Sequence, residues 1–259
     1  DTTAGHLATE SIATAVPIQG VFAFTVSPSG TLTVGDTPIT VTWTKTSTIA
    51  SSALYYEVSG AETLITTLAD PTVTYGWTVP PEAVAGTVTL KLKDATANHT
   101  LATKTSTGFG VKGILTFSSI PSGTISVGAE PSIVWTKSGN MPTVNLYYDI
   151  GAGDVLIASG LTGTSTVWTV TDASVDNSVT LKVKDADATH ILTEVVSSPA
   201  FGVKGALSIV NPAALLTVGT AELLTWTKGS TIVSLDLYYS VSGGAWVSIA
   251  TAQSGTSYN

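Results

Sequence analysis

Ile39-Thr40-Val41-Thr42-Trp43-Thr44-Lys45 alternates apolar and polar side chains without a break. Successive side chains of an extended segment point to opposite faces, so Ile39, Val41 and Trp43 share one side and the threonines the other. That is a strand with one buried and one wet face. The same alternation runs through Leu54, Tyr56 and Val58, through Val73, Tyr75 and Trp77, and through Val88, Leu90 and Leu92. Turn formers separate the runs: Pro28-Ser29-Gly30, Gly35-Asp36, Ser59-Gly60, Asp70-Pro71 and Pro80-Pro81. About seven such strands, with no segment of helical spacing, predict an all-β antiparallel sandwich.

The whole scheme repeats. Trp-Thr-Lys returns at Trp135 and Trp226, and Leu-Tyr-Tyr begins at Leu54, Leu146 and Leu237. Val-Gly recurs at Val34, Val127 and Val218, while Phe-Gly-Val-Lys-Gly closes at Gly113 and Gly205. These spacings lie between 91 and 93 residues, so the chain is a tandem array. One such length suits a small sandwich with its own core. The expected division is a terminal piece of a preceding repeat at 1–20, repeats at 21–113 and 114–205, and the first half of a further repeat at 206–259. Asp1 and His6 align with Asp94 and His99, and the third copy lacks the 17 residues matching Trp77 to Lys93. Other polypeptide is expected to complete these ends, either more of the same chain or a strand from a neighbouring subunit. No Pro/Ser-rich spacer separates the repeats, which predicts neighbours held at short range.

Composition narrows the function. Net charge is −8, charged residues are 11%, and arginine is absent. Phosphate backbones are bound through clustered Lys or Arg, so a nucleic-acid partner is not expected. At 43% apolar residues the chain has enough patterned hydrophobicity to fold. It contains 0 cysteines, which excludes a disulfide framework. No apolar run approaches the roughly 20 residues of a membrane-spanning helix.

The order of landmarks resembles a known family. Pro-Ser-Gly precedes Val-Gly, then come Ile-x-Trp, Leu-Tyr-Tyr, Tyr75-x-Trp77-x-Val79-Pro80, Thr-Leu-Lys-x-Lys-Asp and a Ser/Thr-rich strand ending in Phe. This resembles the immunoglobulin-like, Ser/Thr-rich cell-wall domain of the Kre9/Knh1 type and related prokaryotic surface repeats. The resemblance implies an extracellular, wall-associated or surface-array role with no defined catalytic residue. The second repeat departs from it, with Thr171 rather than a proline after Val170.

All three histidines occupy one repeat position, as Asp1/His6, Asp94/His99 and Asp185/His190. One His and one Asp per repeat fall short of a zinc ligand set, so a hairpin turn is the preferred reading. Asp185/Asp187 and Asp172/Asp176 are carboxylate pairs without a calcium loop, and no metal or cofactor is expected. Parity places Trp43, Trp77, Trp135, Trp168 and Trp226 in cores, and Tyr55, Tyr147, Tyr238 and Trp246 outside. The outward aromatics are candidate interface residues for lateral packing, or for stacking on sugars. Lys45, Lys137 and Lys228 share parity with the core tryptophan; a stem along the core edge with its ammonium in water is preferred over a Lys–Asn/Asp crosslink. Asn98-His99-Thr100 is one glycosylation sequon, making Asn98 a candidate glycan site.

No catalytic or phosphate-binding motif occurs, and nearly every polar candidate is either triplicated or unmatched, so an enzyme is not expected. The leading expectation is a structural protein of an extracellular filament, sheath, stalk or surface array that self-associates. The alternatives are a cell-surface adhesin or carbohydrate-binding module, and a cell-wall biogenesis accessory protein.

Overall fold

The alternating run becomes the middle strand of a three-stranded sheet. The computed structural model describes residues 19–46, 48–97, 102–190, 194–196, 200–210, 212 and 215–259. The first sandwich contains β1 (Phe22–Val26), β2 (Thr31–Thr33), β3 (Ile39–Lys45), β4 (Ser51–Val58), β5 (Ala61–Ala69), β6 (Thr74–Trp77), β7 (Ala85–Asp94), β8 (Thr103–Thr105) and β9 (Phe109–Lys112). One sheet has the order β1-β3-β6; the other has β2-β9-β7-β4-β5, with β8 also pairing β7. All pairs are antiparallel except β2–β9, which is parallel.

The second sandwich repeats this plan. Its strands are β10 (Ile114–Ser119), β11 (Thr124–Ser126), β12 (Ser132–Ser138), β13 (Val144–Asp149), β14 (Asp154–Leu161), β15 (Ser165–Val167), β16 (Asp176–Asp185), β17 (Glu194–Val196) and β18 (Phe201–Lys204). The sheets run β10-β12-β15 and β11-β18-β16-β13-β14, and β11–β18 is again parallel. A first strand divided between two packed sheets, with short connections and Trp on the inner faces, is an immunoglobulin/fibronectin-III-like β-sandwich. The chain is a tandem array of this fold.

Core packing follows the predicted parity. Trp43, Trp77, Trp135, Trp168 and Trp226 are all buried. Trp77 stacks on Tyr56 at 6.1 Å between ring centroids and meets Phe109 edge-on at 5.9 Å. Trp168 does the same with Tyr148 and Phe201, at 5.7 and 6.2 Å. Each trio ties the end of the small sheet to two strands of the large one. The repeated Val-Gly is also explained. Gly35 and Gly128 hold φ of 76° and 82°, a region costly for side chains, and donate to Val79 and Val170. The valine before each donates to Lys112 or Lys204 on β9 or β18.

The third set of strands is β19 (Leu207–Val210), β20 (Leu224–Lys228), β21 (Leu235–Tyr239), β22 (Val247–Gln253) and β23 (Ser257–Tyr258). They form a sheet β19-β20-β23 and a pair β21-β22. Equivalents of β7 and β9 are not among them. The consequences are local and physical. Val218, the counterpart of buried Val34, is fully exposed, and residues 215–217 before it form no strand, because β2 and β11 exist only by pairing with β9 and β18. Tyr239 is 49% exposed where Tyr56 and Tyr148 are 7% and 5% exposed, since among the described residues nothing covers it as Trp77 and Phe109 cover Tyr56.

Candidate functional site

The outer face of the larger sheet carries the polar chemistry of each completed repeat. On β7, Lys91 and Lys93 point outward, alternating with buried Leu90, Leu92 and Asp94. Lys91 pairs with Glu57 at 2.5 Å and with Glu62 at 2.7 Å, while Lys93 pairs with Glu62 and lies 4.8 Å over the ring of Tyr55. On β16, Lys182 pairs with Asp149 at 3.1 Å and with Asp154 at 2.6 Å. Lys184 pairs with Asp154 at 2.6 Å and lies 5.3 Å over Tyr147.

Hydrogen bonds from the lysines set the titration. Lys91 and then Lys93 hold the Glu62 carboxyl below its usual value, and Lys182 then Lys184 do so for Asp154. Asp149 is lowered first by the backbone amide of Gly151, then by Lys182 and the amide of Gly153. Lys182 is raised in turn by Asp154 and Asp149, and Lys91 by Glu57 and Glu62. Tyr55 and Tyr147 therefore face outward as predicted but are half-buried under lysine stems. The Lys-x-Lys on outward parity was the sequence signal for this cluster.

The third repeat changes the chemistry of this face. By register, Trp246 stands where Glu62 and Asp154 stand, and Ser240 where Glu57 and Asp149 stand. Two carboxylates are replaced by a hydroxyl and an indole. Trp246 is 74% exposed, and Tyr238 is exposed as well. Tyr238 and Trp246, with Leu207, Ile209, Trp226, Leu235, Asp236 and Leu237, line a cavity of about 620 Å³.

A second repeated device concerns the lysine after the core tryptophan. Lys137 Nζ donates to the carbonyls of Met141 and Thr162, both at 3.0 Å. Lys228 Nζ donates to those of Ile232 and Val233, both at 2.8 Å. Lys45 Nζ donates to the Ile49 carbonyl and pairs with Asp70, with its side chain only 5% exposed. The ammonium thus reaches loop carbonyls rather than open water, which corrects the sequence expectation. Ile49, Met141, Ile232 and Val233 lie on the loop that follows the lysine's own strand and Thr162 on the one after β14, and an ammonium with several donors serves such carbonyls together. The loop residue also packs against an inter-repeat glycine: a Cβ on Gly205 would lie 2.9 Å from Ile232, and one on Gly20 would lie 2.7 Å from Ile49.

The carboxylates proposed for hairpins and metals have local partners. Asp94 and Asp185 are buried and accept from the amides of Thr96 and Asp187, at 2.8 and 3.0 Å. Asp176 accepts from Ser178 at 2.7 Å, and Asp172 from the amide and hydroxyl of Ser230, at 3.1 and 3.3 Å. Among the described residues no group of three His, Cys, Asp or Glu side chains gathers. Asp1, His6, Asn98 and His99 lie outside the described residues. Among the described residues no helix is long and apolar enough to cross a membrane.

No protein-family model matches the chain, and no curated protein matches it. Among solved structures, it is similar to the fibronectin(III)-like modules of Clostridium thermocellum CbhA, at 18% identity over 71% of this chain and 94% of that one, with a TM-score of 0.27. The ICAM-5 D1–D4 ectodomain fragment is 13% identical over 89% of this chain and 67% of that one, with a TM-score of 0.33. The FN1–FN3 domains of chicken CNTN1 are 10% identical over 91% and 86%, with a TM-score of 0.29.

Proposed function

We propose that this chain is part of an extracellular structural protein, a filament, sheath, stalk or surface array, in which sandwiches of about 92 residues act as serial spacers. On this reading the repeats are 21–113, 114–205 and 206–259, with 1–20 closing a preceding one. The role is non-catalytic and the partner is further copies of the same protein. One observation carries the reading. The second and third sets of strands meet directly, with Asp172 accepting from Ser230 and Gly205 seated against Ile232, and no spacer between them. A junction with its own hydrogen bonds and packing resists bending more than a flexible linker does. The resemblance to Kre9/Knh1-type wall domains supports the same setting, and it also supports the accessory role in wall biogenesis. Electron microscopy of the purified chain tests the main reading: ordered fibres or arrays formed without added glycan are expected, and a strictly monomeric chain at high concentration would sink it.

A second reading, an adhesin or carbohydrate-binding module, is favoured by the exposed Trp246 beside Tyr238. Sugar rings stack on such open aromatic faces. Tyr55 and Tyr147 fit it less well, since lysine stems already cover them. Glycan-array binding that is lost in Trp246→Ala or in Tyr238→Ala would favour this reading over the first.

A further inference from the structure

In both completed sandwiches the long strand of the larger sheet lies along the Leu-Tyr-Tyr strand. Leu54 faces Leu92, Tyr55 faces Lys91 and Tyr56 faces Leu90. Leu146 faces Val183, Tyr147 faces Lys182 and Tyr148 faces Leu181. In the third repeat the matching edge of β21 pairs with no strand among the described residues, and the cavity of about 620 Å³ opens along it. We propose that this edge binds an extended segment of the Ser-Val-Thr-Leu-Lys-Val-Lys-Asp type by antiparallel strand addition.

The molecule itself supplies the template for the register. Leu237 faces the position held by Val183, and Tyr239 the position held by Leu181. The alternate apolar side chains of the added strand enter the cavity against Leu207, Ile209, Trp226 and Leu235, while its backbone completes the ladder. Its two lysines stand on the other face, the first opposite Tyr238 and the second opposite Asp236. Asp236 is exposed and accepts from the amide of Ala252 through one carboxylate oxygen, leaving the other for an ammonium. Recognition therefore differs from that inside the first two repeats. There, two carboxylates hold the first lysine and the tyrosine ring lies under the second; here, Trp246 offers an aromatic face to the first, and Tyr238 with Asp236 offers a ring and a charge to the second. Lys228, the basic residue of this repeat, is turned to the carbonyls of Ile232 and Val233 and does not oppose a cationic strand.

The edge would take up such a strand in a single molecule, with or without fibre formation. The test is titration of the full chain with a dye-labelled synthetic peptide carrying residues 176–185, followed by anisotropy and by amide chemical shifts. Saturable binding is expected, with shifts confined to Leu207–Ile209, Leu235–Tyr239 and the Trp246 indole. Replacing Val179, Leu181 and Val183 of the peptide by serine is expected to weaken binding at least about tenfold. A peptide with Lys182→Glu and Lys184→Glu is expected to bind about tenfold more weakly to the native chain and to recover on Asp236→Lys, which lies on an exposed surface and spares folding. The proposal is overturned by absence of saturable binding, by equal binding of the serine peptide, or by shifts on another face. It is also overturned if sedimentation shows a dimer through this edge that the peptide does not dissociate, which would make a second copy the occupant.

Discussion

Trp246 occupies in β22's approach the register position that Asp154 holds at the start of β14. One position thus serves two chemistries, an ion pair in a completed sandwich and an open aromatic face in the third repeat. Asp154→Ala removes the carboxylate that Lys182 and Lys184 share and is expected to lower stability by about 0.5–1 kcal/mol, the range for a partly exposed ionic network. Trp246→Ala is expected to leave the urea midpoint of the free chain unchanged, because the indole is 74% exposed. Urea denaturation of both variants checks the contrast.

The same cluster sets an acid limit. Glu62, Asp149 and Asp154 all titrate below their ordinary values in the folded chain. A depressed carboxylate adds stability that is fully present above its unfolded value of about 4 and is lost as pH falls through the lower folded value. The urea midpoint is therefore expected to stay flat from about pH 7 to pH 5 and to fall below about pH 4. Molar salt should shrink this acid limb, since the pairs are open to solvent.

Trp168 joins both sheets of the second sandwich through Tyr148 and Phe201. Trp168→Ala is expected to cost about 3–5 kcal/mol, from lost burial and the cavity left behind. Hydrogen exchange should show lost protection across Ile114–Lys204 and retained protection in Phe22–Lys112. Uniform loss across both stretches would mean the sandwiches do not fold as separate cores.

Lys137→Met keeps the stem and removes the ammonium, stranding the carbonyls of Met141 and Thr162. A cost of about 1–3 kcal/mol is expected for acceptors left without a donor. Faster amide exchange at residues 139–144, with the β12 ladder intact, is the local signature.

Gly229 admits no side chain, since a Cβ there would lie 2.3 Å from Asp172 Oδ1. Gly229→Ala is expected to break the Asp172–Ser230 contact while leaving the second sandwich folded. Relaxation of backbone ¹⁵N nuclei should then report independent tumbling of residues 206–259. Unchanged relaxation would remove the main support for stiff junctions.

Much of this architecture was legible in the sequence because period two is hard to counterfeit. Ile39, Val41 and Trp43 could only share a face, and the repeat length placed each copy of that strand. Tyr55 and Tyr147 were legible as outward, but not as covered. Their lysines, Lys93 and Lys184, come from a strand far along the chain, and only the register of β4 on β7 and of β13 on β16 brings them together. Lys45, Lys137 and Lys228 were misjudged for a related reason. Parity gives the face a side chain leaves from, not the loop that folds over its end. The substitution of Trp246 for a carboxylate was hidden by the different hairpin lengths before β14 and β22, which shift the alignment until pairing is known.

The parallel pairing of β2 with β9 has a consequence for how a sandwich yields to pulling. β2 lies near the point where the chain enters and β9 near the point where it leaves. Their ladder includes Gly110 donating to Gly30 at 2.8 Å and Val34 donating to Lys112 at 3.0 Å. Tension on the two ends draws these strands past each other along their length, so the bonds are sheared together instead of being unzipped one by one. The second sandwich has the same clamp in Gly202 to Gly123 and Val127 to Lys204, at 2.9 and 3.0 Å. Resistance to stretching thus resides in two short strands at the margin of the larger sheet of each sandwich, while the tryptophan core behind them governs resistance to heat and denaturant.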